Sequence, residues 1–211
     1  MVAVRYLLFV MSCVERIRRR FAESGPAPDS PSARRASVAI VLAGDSDAPS
    51  VCFVQRTRRA GDPWSGDIAF PGGWAKHERE SLRTAAMRET NEEIGLALDD
   101  DHHVGDVAPM SISRFDSAFG IIGASVFYVG ESRPSLAPDG QEIDRAFWVP
   151  FAHLHHPGNR TVVHWSRAGP LRPRPAIEFE GRVIWGLTYR MLVRFSDVAT
   201  AGRSPLEPDP H

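Results

Sequence analysis

The run Phe70-Pro71-Gly72-Gly73, leading toward Arg88-Glu89-Thr90-Asn91-Glu92-Glu93-Ile94-Gly95-Leu96, constrains this chain more than any other segment. A turn-forming Pro-Gly-Gly feeds a stretch of helix formers that stops at a glycine, the usual C-terminal punctuation of a helix. Glu89, Glu92 and Glu93 stand at i, i+3 and i+4 on that helix, where like charges repel by about 0.2–0.5 kcal/mol per pair. Local helix stability therefore does not account for them. On a helical wheel Glu89 and Glu93 fall in line with Leu82, Ala85 and Ala86, so the acidic end prolongs an apolar stripe that packs on the body of the protein. Enclosed carboxylates are costly without compensation. Hard oxygen donors of this kind suit Mg²⁺ or Mn²⁺, and Mg²⁺ characteristically combines a few carboxylates with substrate phosphate.

The segment resembles the signature of the Nudix hydrolases: Gly, five residues, Glu, seven residues, Arg-Glu, an apolar residue, any residue, Glu-Glu, any residue, Gly, an apolar residue. Seven residues separate Glu80 from Arg88-Glu89, and Glu92-Glu93, Gly95 and Leu96 complete the tail. Two departures stand out. Six residues lie between Gly73 and Glu80, which leaves Glu78 and Glu80 as alternatives for the first Glu, and Thr90 occupies the apolar slot after Glu89. The extra residue sits in a loop, where an insertion is easily absorbed.

The resemblance implies an α/β fold, the Nudix-type α/β/α sandwich with a mixed β-sheet. It implies that Glu89, Glu92 and Glu93 hold Mg²⁺ or Mn²⁺, that Glu89 is also a candidate base, that Arg88 orients Glu89, and that the Gly72 carbonyl adds a ligand. Glu142, just before an apolar run, resembles the position from which many Nudix enzymes bring an extra acid toward the metal, with Asp144 as its neighbour. These residue types match the chemistry. Attack of water on a diphosphate needs phosphate charge neutralised, an activated water and fixed geometry, and no covalent nucleophile.

Two further stretches resemble a narrower group, the coenzyme A pyrophosphatases. One is Val54-Gln55-Arg56-Thr57 followed by Gly66-Asp67-Ile68-Ala69-Phe70-Pro71-Gly72-Gly73; the other is Ile184-Trp185-Gly186-Leu187-Thr188-Tyr189-Arg190. The resemblance spans roughly residues 36 to 198 and implies cleavage of coenzyme A or an acyl derivative into 3′,5′-ADP and 4′-phosphopantetheine or its acyl form. Arg56, Arg58 and Arg59 are candidates for gripping substrate phosphate, since arginine matches phosphate bidentately. Trp64 either stacks on an adenine or plugs the core edge. It stands where the group commonly has a histidine, and Asp67 replaces the usual amide. These departures keep two alternatives open: another nucleotide diphosphate derivative as substrate (ADP-ribose, NADH, a dinucleoside polyphosphate or a nucleoside triphosphate), or a Nudix module that binds a nucleotide without cleaving it.

With 211 residues, 43% of them apolar, the chain suits one catalytic domain with a full core. A net charge of −1 excludes a broad nucleic-acid surface and leaves a small-molecule diphosphate as partner. Two cysteines, Cys13 and Cys52, make no disulfide framework or zinc spacing, so a reducing cytosol is expected. Residues 1–35 read as an N-terminal helix and linker, 36–198 as the Nudix domain, and 199–211 as a disordered tail. The apolar run Tyr6 to Val14, with the basic cluster Arg16 to Arg20 after it, is too short to span a bilayer and has the wrong charge order for a signal peptide. It reads as a helix to about Ala22, packed on the domain or on a partner, rather than a membrane anchor. A homodimer is an expectation by analogy. The histidines His102, His103, His153, His155 and His156 read as surface loop residues.

Overall fold

A computed structural model describes residues 11–24, 34–61, 64–114, 117–166, 169–202 and 204–208. In chain order the elements are α1 (Cys13–Ser24), β1 (Arg35–Ala43), β2 (Ser50–Arg56), β3 (Ile68–Ala69), β4 (Gly72–Trp74), α2 (Leu82–Ile94), β5 (His103–Arg114) and β6 (Ser117–Tyr128). They continue with β7 (Ile143–Pro150), α3 (Phe151–His155), β8 (Arg160–Trp165), β9 (Arg172–Phe179), β10 (Arg182–Ile184) and α4 (Gly186–Ala199).

The main sheet is mixed, with β1 parallel to β6 and its other pairs antiparallel. Its spine runs β3-β2-β1-β6-β5, with β7 on β2 and β4 on β1. Along one edge β1 divides its partners: Leu42 and Ala43 pair with β2, whereas Ala36 to Val38 pair with Trp74 to Gly72 of β4. Helix α2 covers one face, where Ala39, Val41, Cys52 and Val54 meet Ala86 and Ile94. Helices α1, α3 and α4 cover the other, where Ile40, Leu42, Val51 and Phe53 share a core with Ile17, Phe21, Leu154, Met191, Leu192 and Phe195. This is the expected α/β/α sandwich with a mixed sheet. Strands β8, β9 and β10 form a second, small antiparallel sheet in the order β10-β9-β8.

Several boundaries shift for physical reasons. The Pro-Gly-Gly turn is short, because Gly72 and Gly73 are already strand residues paired to β1. Helix α2 starts at Leu82, just after Glu80: the Ser81 side chain accepts from the Thr84 backbone N–H and caps it. Thr90 is fully buried despite its hydroxyl, since Oγ1 donates to the Ala86 carbonyl at 2.7 Å. Helix α1 is capped by a reciprocal pair, Ser12 with Glu15, and ends at Ser24; the expected start at Tyr6 lies outside the described residues. Its apolar face belongs to the domain core, with Phe21 stacked on Phe195 at 6.2 Å. Of the expected linker, 25–33 lie outside the described residues and Arg35 opens β1. The expectation of a disordered tail is corrected over Ser204–Pro208: Leu206 is buried and the Glu207 carbonyl accepts from the Tyr189 hydroxyl at 2.9 Å.

Candidate active site

The site forms where α2 crosses the divided edge of β1. Gly72 has φ 147°, and a Cβ there would sit 2.3 Å from the Ser37 carbonyl oxygen, so only glycine lets β4 pair this closely. Its amide donates to Glu93 Oε2 at 2.9 Å. At Gly73 a Cβ would lie 2.7 Å from Cδ of Glu89. The two glycines thus make room for, and bind, two carboxylates of one helix.

Glu93 is 6% exposed. Burial pushes its pKa up to about 8, the Gly72 amide and Arg56 oppose the rise, and the charges of Glu89 and Glu142 add to it. Glu89 accepts from Arg88 Nη1 at 2.7 Å. Arg88 is the hub. Its Nε and Nη2 also reach Glu80 at 2.8 and 3.2 Å, Nη1 reaches Glu92 at 3.1 Å, and Nη2 reaches the Trp74 carbonyl at 3.0 Å. Glu80, 8% exposed, is therefore the first Glu of the signature, and Glu78 is exposed. Glu92 points outward to Lys76 Nζ at 3.0 Å, and that ammonium holds its carboxyl below the usual range.

Among the described residues no three acidic, histidine or cysteine side chains form a ready cation cage. The donor chemistry nonetheless fits a hard divalent cation: a buried carboxylate opposed by neighbouring negative charge is what such an ion relieves. Glu93 meets this condition as it stands, whereas Glu89 is paired with Arg88 and Glu92 with both Lys76 and Arg88.

A cavity of about 120 Å³ adjoins Glu93 and Gly72 and is lined also by Arg56, Phe70, Leu187 and Thr188. Arg56 is thereby brought into the site. A register shift at Gln55/Arg56 sets Arg56 opposite Ile143, and the Thr57 amide donates to the Glu142 carbonyl at 2.9 Å, which brings Glu142 alongside. Asp144 is exposed and paired with the exposed Arg145 at 3.5 Å. Arg58 lies over Gly66, and the Arg59 guanidinium bonds the Gln141 carbonyl at 2.6 Å. Both are exposed, as is Trp64 at 51%, so the core-plug reading of that tryptophan does not hold. The second coenzyme A-like stretch braces the first: Trp185 Nε1 donates to Asp67 Oδ1 at 3.3 Å and Thr188 Oγ1 to the Ile68 carbonyl at 2.9 Å. Asp67, in the amide's usual place, thus serves as an acceptor. His155 is no surface residue; it is partly buried against Phe151 and Ser196, and burial holds its pKa down.

Sequence reasoning missed Lys76, which has no pattern of its own, and the Trp185–Asp67 brace, which joins segments far apart in the chain.

The NUDIX domain pattern matches residues 33–166. The chain belongs to the Nudix family. It is a Nudix hydrolase, an enzyme acting on diphosphate bonds, and its Arg-Glu and Glu-Glu pairs are intact. It is 32% identical over 160 residues to the human protein named mitochondrial coenzyme A diphosphatase NUDT8, covering 74% of this chain and 66% of that protein's length. The mouse protein of the same name is 28% identical over 155 residues, covering 72% of each. A crystal structure of a MutT/nudix family protein from Enterococcus faecalis aligns with a TM-score of 0.46 and 18% identity, over 79% of this chain and 60% of that one.

Proposed function

We propose that this Nudix hydrolase cleaves the diphosphate of coenzyme A or an acyl-CoA, releasing 3′,5′-ADP and 4′-phosphopantetheine or its acyl form. One observation carries the reading: the two stretches that resemble the coenzyme A pyrophosphatases meet at the catalytic edge, where Trp185 and Thr188 brace Asp67 and Ile68. The names of the human and mouse relatives support the same substrate.

In this reading Glu89 and Glu93, joined by Glu92 once it leaves Lys76, hold Mg²⁺ or Mn²⁺, with the Gly72 carbonyl as a further oxygen. The bound ion supplies charge neutralisation at phosphate and a lowered pKa for water. Arg88 fixes the Glu89 carboxylate and is itself held by Glu80. Glu89 accepts a proton from the attacking water. Arg56 faces the phosphate from the cavity wall, Arg58 and Arg59 stand on the exposed loop where a longer nucleotide passes, and Trp64 offers an exposed ring for the adenine. Glu142 adds a carboxylate beside Arg56.

The test is a comparison of kcat/KM for coenzyme A, acyl-CoAs, ADP-ribose, NADH and a dinucleoside polyphosphate. Coenzyme A compounds are expected to lead by at least tenfold; a lead by ADP-ribose of that size overturns the substrate. Binding of these compounds without any product favours a non-catalytic module.

No helix among the described residues is long and apolar enough to cross a membrane. A reducing compartment suits the free Cys13 and Cys52. Fractionation distinguishes the cytosol, our reading, from the mitochondrion named for the relatives. A homodimer is proposed by analogy alone, and sedimentation tests it.

A further inference from the structure

Ser37 sits on β1 beneath α2 and is 1% exposed, yet its Oγ has no hydrogen-bond partner among the described residues. A buried hydroxyl in that condition costs about 1–3 kcal/mol, so it is either a tolerated defect or a group that water satisfies.

The register favours the second. Ser37 is opposite Gly73 in the antiparallel β1–β4 pair and beside Gly123 of parallel β6. Opposed residues of an antiparallel pair project to the same face with Cβ positions about 5 Å apart. That face is the α2 side, because the alternate residues Ala39 and Val41 pack there with Ala86 and Ile94. A Cβ at Gly73 would crowd the Glu89 carboxylate, with Cδ at 2.7 Å and both oxygens at 2.9 Å. The Cβ position of Gly123 is filled by Leu82 Cδ1 at 2.9 Å, so the β6 side is closed by an apolar group. The Ser37 hydroxyl and the Glu89 carboxylate thus lie on the same face of the sheet, on either side of the space that Gly73 leaves by having no side chain. A carboxylate accepts up to about four hydrogen bonds, and Arg88 supplies Glu89 with one.

We propose that Ser37 is a positioning residue for Glu89: its hydroxyl donates to an ordered water, which donates to the Glu89 carboxylate and holds it over Gly73. The inference rests on the reading of Glu89 as base and ligand. It goes beyond the signature, which contains no residue of β1.

Two measurements test it. A crystal structure of the metal-free protein should show a water within hydrogen-bond distance of both Ser37 Oγ and a Glu89 oxygen; a Ser37 Oγ bonded to a protein group instead overturns the inference. Ser37→Ala removes only the hydroxyl, so the thermal midpoint should stay or rise. Its kcat should fall about tenfold, the lower end for a supporting group around a metal ligand, with KM unchanged. Unchanged kcat marks a tolerated defect, and kcat, KM and the midpoint worsening together marks a structural role; either overturns the inference. The assay uses whichever diphosphate the wild-type protein cleaves. Failure of wild type on coenzyme A therefore refutes the substrate reading alone, while an active wild type with an indifferent Ser37→Ala refutes this one.

Discussion

Arg88 Nε donates to Glu80 Oε1 at 2.8 Å, tying the loop before α2 to the arginine that also bonds Glu89. Both side chains are largely enclosed, at 18% and 7% exposure. Glu80→Gln keeps the shape and removes the charge. Hydrogen bonds to charged groups contribute about 1.5–3 kcal/mol, so a loss of about 2 kcal/mol is expected in denaturant unfolding, with a reduced kcat because Arg88 no longer fixes Glu89. Glu78→Gln, on an exposed residue, should change neither. Equal effects at the two positions would contradict the assignment.

Glu93 sets a pH dependence for the metal-free protein. Its folded pKa, raised by burial to about 8, exceeds the unfolded value, so the folded state binds the extra proton. Stability should be full below the ordinary carboxyl range near 4.5 and decline as pH rises through about 8. The loss is on the order of a few kcal/mol, roughly 10 °C in midpoint for a chain of this length. Thermal unfolding in a chelator between pH 5 and pH 9 should show this fall, with Mg²⁺ restoring the midpoint above pH 7 and Glu93→Gln flattening the curve. A flat wild-type curve would show that the carboxylate is not strained.

Lys76 competes for Glu92. The pair is surface-exposed, 59% and 48% for the two side chains, and such bridges contribute about 0.2–1 kcal/mol. Lys76→Met should therefore lower the apparent dissociation constant for Mn²⁺ about two- to fivefold, read by titration. Weaker Mn²⁺ binding in the variant would place Lys76 in a different role.

The Trp185–Asp67 contact braces the strand that leads into Gly72. Trp185→Phe leaves Asp67 without this donor and should cost about 1 kcal/mol, or about 2–4 °C in midpoint. The larger effect should fall on kcat/KM for coenzyme A. An unchanged kcat/KM would separate this contact from substrate recognition.

The helix was legible because its signal is local: periodic alanines, clustered glutamates and a terminal glycine all lie within one short window, whereas its capping Ser81 was not read. Ser37–Leu42 and Val51–Gln55, apolar β-branched runs in the sequence, lie within β1 and β2, and the apolar segments Val104–Ile112 and Ile143–Val149 lie within β5 and β7. Gly72–Trp74 was not legible, because glycines read as turn formers and their pairing depends on the distant Ala36–Val38. The same limit hid Ser37, whose proposed role rests on its cross-strand neighbour Gly73. The tail misled through its prolines, since Leu206 finds its pocket only in the folded domain. Glu80 was left level with Glu78 because spacing alone cannot show which carboxylate Arg88 reaches.

The most direct test is product analysis after incubation with coenzyme A and Mg²⁺, comparing wild type with Glu89→Gln and a chelator control. The account predicts 3′,5′-ADP and 4′-phosphopantetheine from wild type, none in chelator, and at least a hundredfold slower release from Glu89→Gln, as expected when a catalytic base is removed. Near wild-type turnover by Glu89→Gln, or product formed without a divalent ion, would contradict it.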